Sequence, residues 1–578
     1  MFIDKINKNK RAQKLFVILT GILLGCIYGS QIKNINIVWE LGDEAGYLSN
    51  AAYFSGTDWS DVAASLPYFG YGYSILLTPL FFICPTGVAL IRGAIFVNVI
   101  CMIGSYFLSV AVMARLCTQC NKIWIAIFAF ISSLSPYLVS NTFKVLCEVF
   151  LSMWVWVIAY ALLMVFEHRN YISFSLLGIA ACFIFFIHTR AIVVAGTVWL
   201  ILICCLVTKK ITAKEFLTFC ISFIIFFAIL YAVKRNIIVS SMQMTAQDNR
   251  KETNMIGPAH LIQRLRWLIA DFYAYIISFC GKALYLFTTT GGMIFFGLSA
   301  CIKGIKESFR FEEDKKFVLF LYTGFTVFFM VTASVFNGAG VADNFCYIFY
   351  SRYYEYVISP IFILGLHEAV KGRKEVKTCI WYIIATLLSG MITLEARNTF
   401  LQLDEIHMDT ARLPGFTDVI LKNNDFKSFV IYAAVTVSAS IIIFILLRQY
   451  SLSRVVIPML VFYMLIQSSN ACRDYIVVKA NENGRMDVAV ADFIRENEVS
   501  NKVPFVDTEF RWDGYYSRIQ VLLKDKKLEV IPEDEVDTIE QGTFYLTYLN
   551  SELGKRLENE GKLIQKGSVF GVYRNESE

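Results

Sequence analysis

Hydrophobic side chains fall in long runs along the chain, and the charged residues are gathered in the intervals between them. A run of about 18 or more apolar residues is long enough to cross the hydrocarbon of a bilayer as a helix. The pattern therefore predicts a polytopic α-helical membrane protein with about 13 transmembrane helices. We place them at residues 15–31, 88–113, 123–141, 145–166, 171–187, 191–207, 216–233, within 267–302, and at 317–336, 354–370, 379–394, 429–447 and 455–467.

The basic residues orient these helices. Five Lys and Arg residues between Lys5 and Lys14 precede the first apolar run, and the later short loops on the same side are also rich in Lys and Arg. Such loops stay in the cytoplasm, so residues 33–87 form the first outer loop. Residues 234–266 form another long outer segment. Residues 71–84 are apolar but short, which is typical of a re-entrant or interfacial segment.

The pattern changes at about residue 471, where charged and apolar positions begin to alternate. From Arg473 onward the chain has 15 Lys and Arg against 21 Asp and Glu, while the preceding part has 38 against 26. An odd number of spans places this tail outside. Strands alternating with helices predict a small α/β domain. We expect strands at 503–506, 528–531 and 544–548, helices at 486–496, 514–523 and 551–561, and a hairpin at 562–574.

The composition agrees with two parts, a transmembrane domain at 1–470 and a soluble extracytoplasmic domain at 471–578. Hydrophobic residues make up 56% of the 578 residues and charged residues 17%, a composition that excludes a soluble globular protein. The net charge of +6 belongs to membrane loops, so we expect the lipid bilayer as a partner and no nucleic acid.

Two adjacent carboxylates, Asp43 and Glu44, follow the first span and open an amphipathic surface helix that extends to about Phe54. Charges beside a bilayer are costly to desolvate, so a carboxylate pair that has no function is unfavourable there. We predict that Asp43 is a catalytic base and Glu44 its supporting acid. The alternative is that both residues only stabilise the helix N-terminus.

Three further patterns accompany the acidic pair: the aromatic and glycine-rich stretch 66–73, which includes Tyr71; the sequence Ser135-Pro136-Tyr137 before Lys144 and Glu148; and Ser351-Arg352-Tyr353-Tyr354. Together these motifs make residues 36–195 and 350–365 resemble the GT-C glycosyltransferase superfamily. The similarity is to the branch containing protein O-mannosyltransferases and the lipid A aminoarabinose transferase. One departure is Phe69-Gly70-Tyr71-Gly72, where many relatives have Pro-Pro or Pro-Gly.

The resemblance implies a GT-C-like fold, a polyprenyl-phosphate-linked sugar as donor, an extracytoplasmic active site and inversion at the anomeric carbon. Asp43 would accept the proton of the acceptor hydroxyl, and Glu44 would orient that pair or bind the acceptor. The leaving lipid phosphate needs cationic contacts. The candidates for these contacts on the outer side are Lys144, Arg190, Arg352 and Arg92, with Glu148, Tyr71 and Tyr353 in support.

Structural alternatives exist for several of these residues. Lys144 and Glu148 are spaced to form an ion pair on one helix. Arg190 would then extend to the lipid headgroups, and Arg352 would be part of an aromatic belt at the membrane interface. No His, Cys, Asp or Glu spacing indicates a structural metal site. A divalent cation beside Asp43 and Glu148 is compatible with the sequence, but we assign no cofactor.

We therefore expect a hexosyl- or pentosyltransferase in a bacterial plasma membrane that glycosylates an envelope glycan, lipid or protein. A flippase for a polyprenyl-linked glycan and an envelope polysaccharide polymerase are the alternatives. A transporter is typically built from two matching halves with broken spans, and the chain has no such repeat. A polymerase would have its main outer loop late in the chain.

Overall fold

The computed structural model describes residues 9–39, 41–63, 70–118, 120–234, 266, 269, 272–336, 346–371, 376–395, 413–422, 426–447, 453–498, 500–507 and 515–575. The predicted segments 66–69 and most of 234–266 lie outside these residues. The helices of the first half are α1 Lys10–Gly29, α2 Leu41–Ser55, α3 Ser60–Ala63, α4 Gly72–Ile83, α5 Gly87–Leu116, α6 Lys122–Ser133, α7 Pro136–Thr142, α8 Glu148–His168, α9 Tyr171–Ile187, α10 Ile192–Val207 and α11 Ala213–Val233.

The second half continues the bundle and ends in the sheet domain. Its helices are α12 Phe272–Thr289, α13 Met293–Arg310, α14 Asp314–Phe336, α15 Cys346–Phe349, α16 Ser359–Val370, α17 Val376–Leu394, α18 Thr417–Lys422, α19 Phe426–Leu447, α20 Ser453–Asn497, α21 Tyr515–Leu522 and α22 Glu552–Asn559. The strands are β1 Lys502–Asp507, β2 Lys527–Pro532, β3 Phe544–Tyr548, β4 Gln565–Lys566 and β5 Phe570–Arg574.

Local sequence explains where several helices begin. The Asn9 side chain accepts hydrogen bonds from the first turn of α1, and Thr86 accepts one from the Ala89 amide in α5. Thr212 and Glu215 form a reciprocal capping box at the start of α11. Each device satisfies amides that have no partner inside the helix, so the polar residues between apolar runs set the helix boundaries.

Within the described part of the chain, nine helices are long and apolar enough to cross a membrane, or up to eleven if each bent pair is one span. The pairs are α6 with α7, bent by 63°, and α12 with α13, bent by 102°. The predicted number of 13 is therefore not confirmed, although most predicted spans coincide with a helix. The span predicted at 354–370 contains only the short helix α16, because two 3₁₀ turns occupy residues 351–357.

The tail folds as a five-stranded sheet in the order β2-β1-β3-β5-β4. Strand β1 is parallel to both β2 and β3, and β5 is antiparallel to both β3 and β4. This arrangement agrees with the small α/β domain predicted from alternation. The domain boundary at 470/471 stays a prediction, and it falls inside the continuous 45-residue helix α20. The helix predicted at 486–496 is the last part of α20.

The sheet domain packs on the first outer loop. The Trp59 indole donates to the Lys524 carbonyl at 3.0 Å, and the buried Lys524 ammonium donates to the Phe81 carbonyl at 3.1 Å. Lys527 forms ion pairs with Asp61 at 3.2 Å and with Asp58 at 3.3 Å. This contact and the neighbouring α4 bury α2, so the prediction that α2 is a surface helix was wrong: most residues from 44 to 52 are buried.

Candidate active site

Glu148 lies at the centre of a buried charged cluster. It is the first residue of α8, its side chain is 0% exposed, and its Oε1 accepts from Arg190 Nη2 and Arg352 Nε, both at 2.6 Å. Arg190 comes from the 3₁₀ turn between α9 and α10, and Arg352 from the turn before α16. A carboxylate at this depth needs charge-assisted partners, and two distant chain segments supply them.

Asp43 joins this cluster through Arg352. It lies in the first turn of α2, and its Oδ2 accepts from Arg352 Nη1. Arg352 therefore bridges Asp43 and Glu148. The Asp43 side chain is 34% exposed, whereas that of Arg352 is 10% exposed. Asp43 consequently lies at the rim of the cluster, where a substrate can approach it.

Glu44 has a different position. It is 1% exposed, and its two carboxylate oxygens accept from the backbone amides of Trp39 and Val145, the latter at 2.5 Å. Glu44 thus ties the segment before α2 to the segment before α8. The predicted role of Glu44, to orient Asp43 or to bind the acceptor, stays a prediction, and the burial of Glu44 disfavours direct binding of an acceptor.

Aromatic rings surround the Arg190 guanidinium. The Tyr353 ring centroid lies 5.4 Å from it and the Tyr356 ring centroid 5.7 Å. The amide of Arg190 donates to His188 Nδ1 at 3.2 Å, so His188 is a local backbone acceptor. Cation–π contacts stabilise a guanidinium that is out of water. Tyr353, predicted from its place beside Arg352, therefore belongs to the cluster.

The glycine-rich stretch packs on the segment that leads to Arg190. A Cβ on Gly70 would lie 2.3 Å from the Ile187 carbonyl oxygen and 2.5 Å from that of Phe186. Only glycine permits so close an approach of two backbones. The Tyr71 hydroxyl donates to the Leu230 carbonyl at 2.6 Å, and its ring packs against Phe186. Tyr71 thus supports the walls of the site rather than the charged cluster.

Two predicted cations have other surroundings. Arg92 donates to the carbonyls of Lys33 and Ile35 and to Asn36 Oδ1, at 2.7, 3.2 and 2.6 Å, and so holds the start of the first outer loop. Lys144 is 1% exposed. The Glu148 carboxylate pairs with the two arginines, so the alternative Lys144–Glu148 pair is not formed. Donor binding by Arg92 and Lys144 stays a prediction.

The sequence interpretation gave no role to two residues beside the cluster, Tyr47 and Cys147. The Tyr47 hydroxyl and Cys147 Sγ are 2.8 Å apart, and these residues lie one turn after Asp43 and directly before Glu148. The helical spacing of Tyr47 from Asp43 was a usable signal.

Glu355, to which the sequence interpretation also gave no role, lines a cavity of about 30 Å³, which is large enough for water. The other polar groups of the lining are hydroxyl groups. Its polar lining is Ser132, Ser135, Tyr137, Ser152, Thr289, Thr290, Glu355 and Ser359.

Metal binding has no geometric support in the described residues. In that part of the chain, no three His, Cys, Asp or Glu side chains are close enough together to hold a metal ion. The cluster instead combines two carboxylates with two guanidiniums. Such an arrangement can accept a proton at its exposed carboxylate and bind an anion at its guanidiniums.

No family model matches the chain, and no curated protein matches it in sequence. Among solved structures, ArnT from Cupriavidus metallidurans in the apo state is 12% identical, with 98% of each chain covered and a TM-score of 0.51. ArnT from the same organism bound to undecaprenyl phosphate is also 12% identical, with 98% of this chain and 99% of that chain covered and a TM-score of 0.50. The apo oligosaccharyltransferase of Archaeoglobus fulgidus is 11% identical over 90% of this chain and 64% of its own, with a TM-score of 0.47. The likeness to ArnT confirms the GT-C-like fold expected from the sequence.

Proposed function

We propose that this protein is a glycosyltransferase that moves a sugar from a polyprenyl-phosphate-linked donor to an extracytoplasmic acceptor. The observation that carries the proposal is the meeting of Asp43, Glu148, Arg190 and Arg352, four residues from separate segments, in one cluster that is buried except for the partly exposed Asp43 side chain. The GT-C-like fold and the ArnT structure with bound undecaprenyl phosphate support a lipid phosphate as part of the donor.

The proposed reaction is a single displacement. The Asp43 carboxylate accepts the proton of an acceptor hydroxyl while that oxygen forms a bond to the anomeric carbon. The bond between the anomeric carbon and the phosphate oxygen breaks, and its electron pair stays on the phosphate. The configuration therefore inverts, and the polyprenyl phosphate leaves with one additional negative charge.

The cations and the remaining carboxylates have distinct roles in this proposal. Arg352 and Arg190 stabilise the charge that develops on the phosphate, and Glu148 holds both guanidiniums in place. Glu44 positions Asp43 through the Trp39 and Val145 amides. We place the site and the sheet domain on the outer face of a bacterial plasma membrane. The acceptor is an envelope glycan, lipid or protein, and the transferred group a hexose or pentose.

The test is transfer of radiolabelled sugar from a panel of synthetic polyprenyl-phosphate sugars to an envelope fraction, with purified protein in proteoliposomes. Asp43→Asn should lower the rate at least about 100-fold, because general-base catalysis contributes that much or more. Asp58→Asn is the matched control, since it removes the same charge from the same outer loop and should keep near-normal turnover.

Near-normal transfer by Asp43→Asn would contradict the assignment of the base. Movement of the labelled donor across the bilayer without covalent transfer by the native protein would instead favour the flippase alternative. Expression level and monodispersity of both variants in detergent separate a loss of chemistry from a loss of folding.

A further inference from the structure

Arg352 donates hydrogen bonds to two carboxylates at once, and it is also a proposed ligand of the donor phosphate. Its Nε donates to Glu148 and its Nη1 to Asp43, while Arg190 donates to Glu148 as well. Two carboxylates thus balance two guanidiniums. A phosphate that enters this neutral cluster adds an anion, and desolvated like charges repel strongly. One carboxylate must give up its guanidinium contact when the phosphate binds.

Asp43 is the carboxylate that can leave at lower cost. Its side chain is 34% exposed, so water can solvate it after separation from Arg352. Glu148 is 0% exposed and would become an unpaired charge in the interior. Breaking a buried pair is far more costly than breaking a partly solvated one. The phosphate therefore competes with Asp43, and not with Glu148, for Arg352.

Two unsatisfied atoms point to a second arrangement of the buried pair. Both arginines donate to Oε1 of Glu148, whereas Glu148 Oε2 and Arg190 Nε have no hydrogen-bond partner among the described residues. Buried polar atoms without partners are unfavourable. When Arg352 Nη1 turns from Asp43 to a phosphate, Arg352 Nε can stay on Glu148 Oε1, while Arg190 binds Glu148 through Nε and Nη2 together, in the two-pronged geometry that arginine favours with carboxylates.

We propose that the donor phosphate takes Arg352 from Asp43 and thereby releases Asp43 to act as the base. This inference rests on the proposed function. Without donor, Arg352 Nη1 donates to Asp43 Oδ2 and so occupies an oxygen that would otherwise receive the acceptor proton. With donor bound, Asp43 is released beside the anomeric carbon, and Glu148 keeps both arginines. The enzyme therefore binds donor before it activates the acceptor.

The test measures binding of undecaprenyl monophosphate, without sugar, to purified protein in nanodiscs. Asp43→Asn removes the competitor for Arg352 and should bind this lipid about fivefold more tightly than the native protein, at the lower end of typical coupling between sites. Asp58→Asn removes the same negative charge from the same outer loop and should bind with native affinity. Asp43→Ser serves if the Asn variant is not monodisperse.

A double variant separates competition from general electrostatics. Lysine carries its charge on one compact ammonium and lacks the planar fork of donors with which Arg352 reaches both carboxylates. The affinity of Arg352→Lys should be lower than native and the same whether residue 43 is Asp or Asn. A gain from Asp43→Asn that persists in the Arg352→Lys background would overturn the switch.

The two proposals fail in different ways. If the native protein binds the lipid but Asp43→Asn binds it equally or more weakly, the switch is refuted and the transferase proposal stands. If the folded native protein neither binds undecaprenyl monophosphate nor transfers sugar from any donor of the panel, the proposed function itself is refuted.

Discussion

Replacing Glu148 with Gln should unbalance the buried cluster more than any other single isosteric change in it. The side chain keeps its shape but loses the charge that Arg190 and Arg352 share. Arg352 retains Asp43, whereas Arg190, whose side chain is 6% exposed, loses the carboxylate with which it is paired. An uncompensated guanidinium then lies in the interior.

The structure sets the magnitude. Opposite charges about 4 Å apart at an effective dielectric constant of about 20 attract by about 4 kcal/mol. Loss of one partner of a buried pair typically destabilises a protein by about 3 to 5 kcal/mol. Both side chains are less than one-tenth exposed, so solvent screening does not reduce this value appreciably. We expect Glu148→Gln to lower the free energy of unfolding by that amount.

Arg190→Gln should be milder, because Glu148 keeps Arg352 as its partner. The double variant restores neutrality, since Asp43 and Arg352 remain paired. Its destabilisation should therefore be smaller than the sum of the single effects by about 2 kcal/mol or more. The measurement is unfolding by SDS titration in mixed micelles, followed by tryptophan fluorescence. Additive single effects, within about 0.5 kcal/mol, would refute the reasoning.

Two further predictions concern the supports of the site. Gly70→Ala places a methyl group against the Ile187 carbonyl and should destabilise the protein by about 1 to 3 kcal/mol, whereas Gly196→Ala, which meets open space, should be neutral or slightly stabilising in the same titration. Partial burial opposes the charge on Asp58, but hydrogen bonds from Ser60 and the Lys527 ammonium outweigh it and lower the pKa of Asp58. A lowered pKa contributes stability that is present above about pH 4 and lost as the pH falls below it. The hydrogen-exchange protection factors of residues 58–63, which are corrected for the intrinsic pH dependence of amide exchange, should therefore fall between about pH 4 and about pH 3, and less so in Asp58→Asn; an equal fall in that variant would contradict the assignment.

The hydrophobic pattern by itself determined the membrane class and most helix positions. Apolar runs of bilayer length must form helices because no water is available to their backbone groups, so α5, α8, α9 and α11 lie close to their predicted bounds. Alternation likewise located β1, β2 and β3. The hydrophobic pattern did not show where helices bend or continue. The 102° turn between α12 and α13 falls at Gly291 and Gly292, both with positive φ, and α20 runs uninterrupted past residue 471.

For the site, sequence reasoning supplied the residue types but not their partners. Asp43, Glu148, Arg190 and Arg352 were all candidates, because a charge at a membrane boundary needs a reason to be there. Neighbours in sequence suggested Glu148 with Lys144, whereas folding joined Glu148 to Arg190 and Arg352, the latter 204 residues away. Which cations a carboxylate meets depends on how helices converge, and this is a long-range property of the fold. Only the tertiary structure decided that Arg352 bridges Asp43 and Glu148.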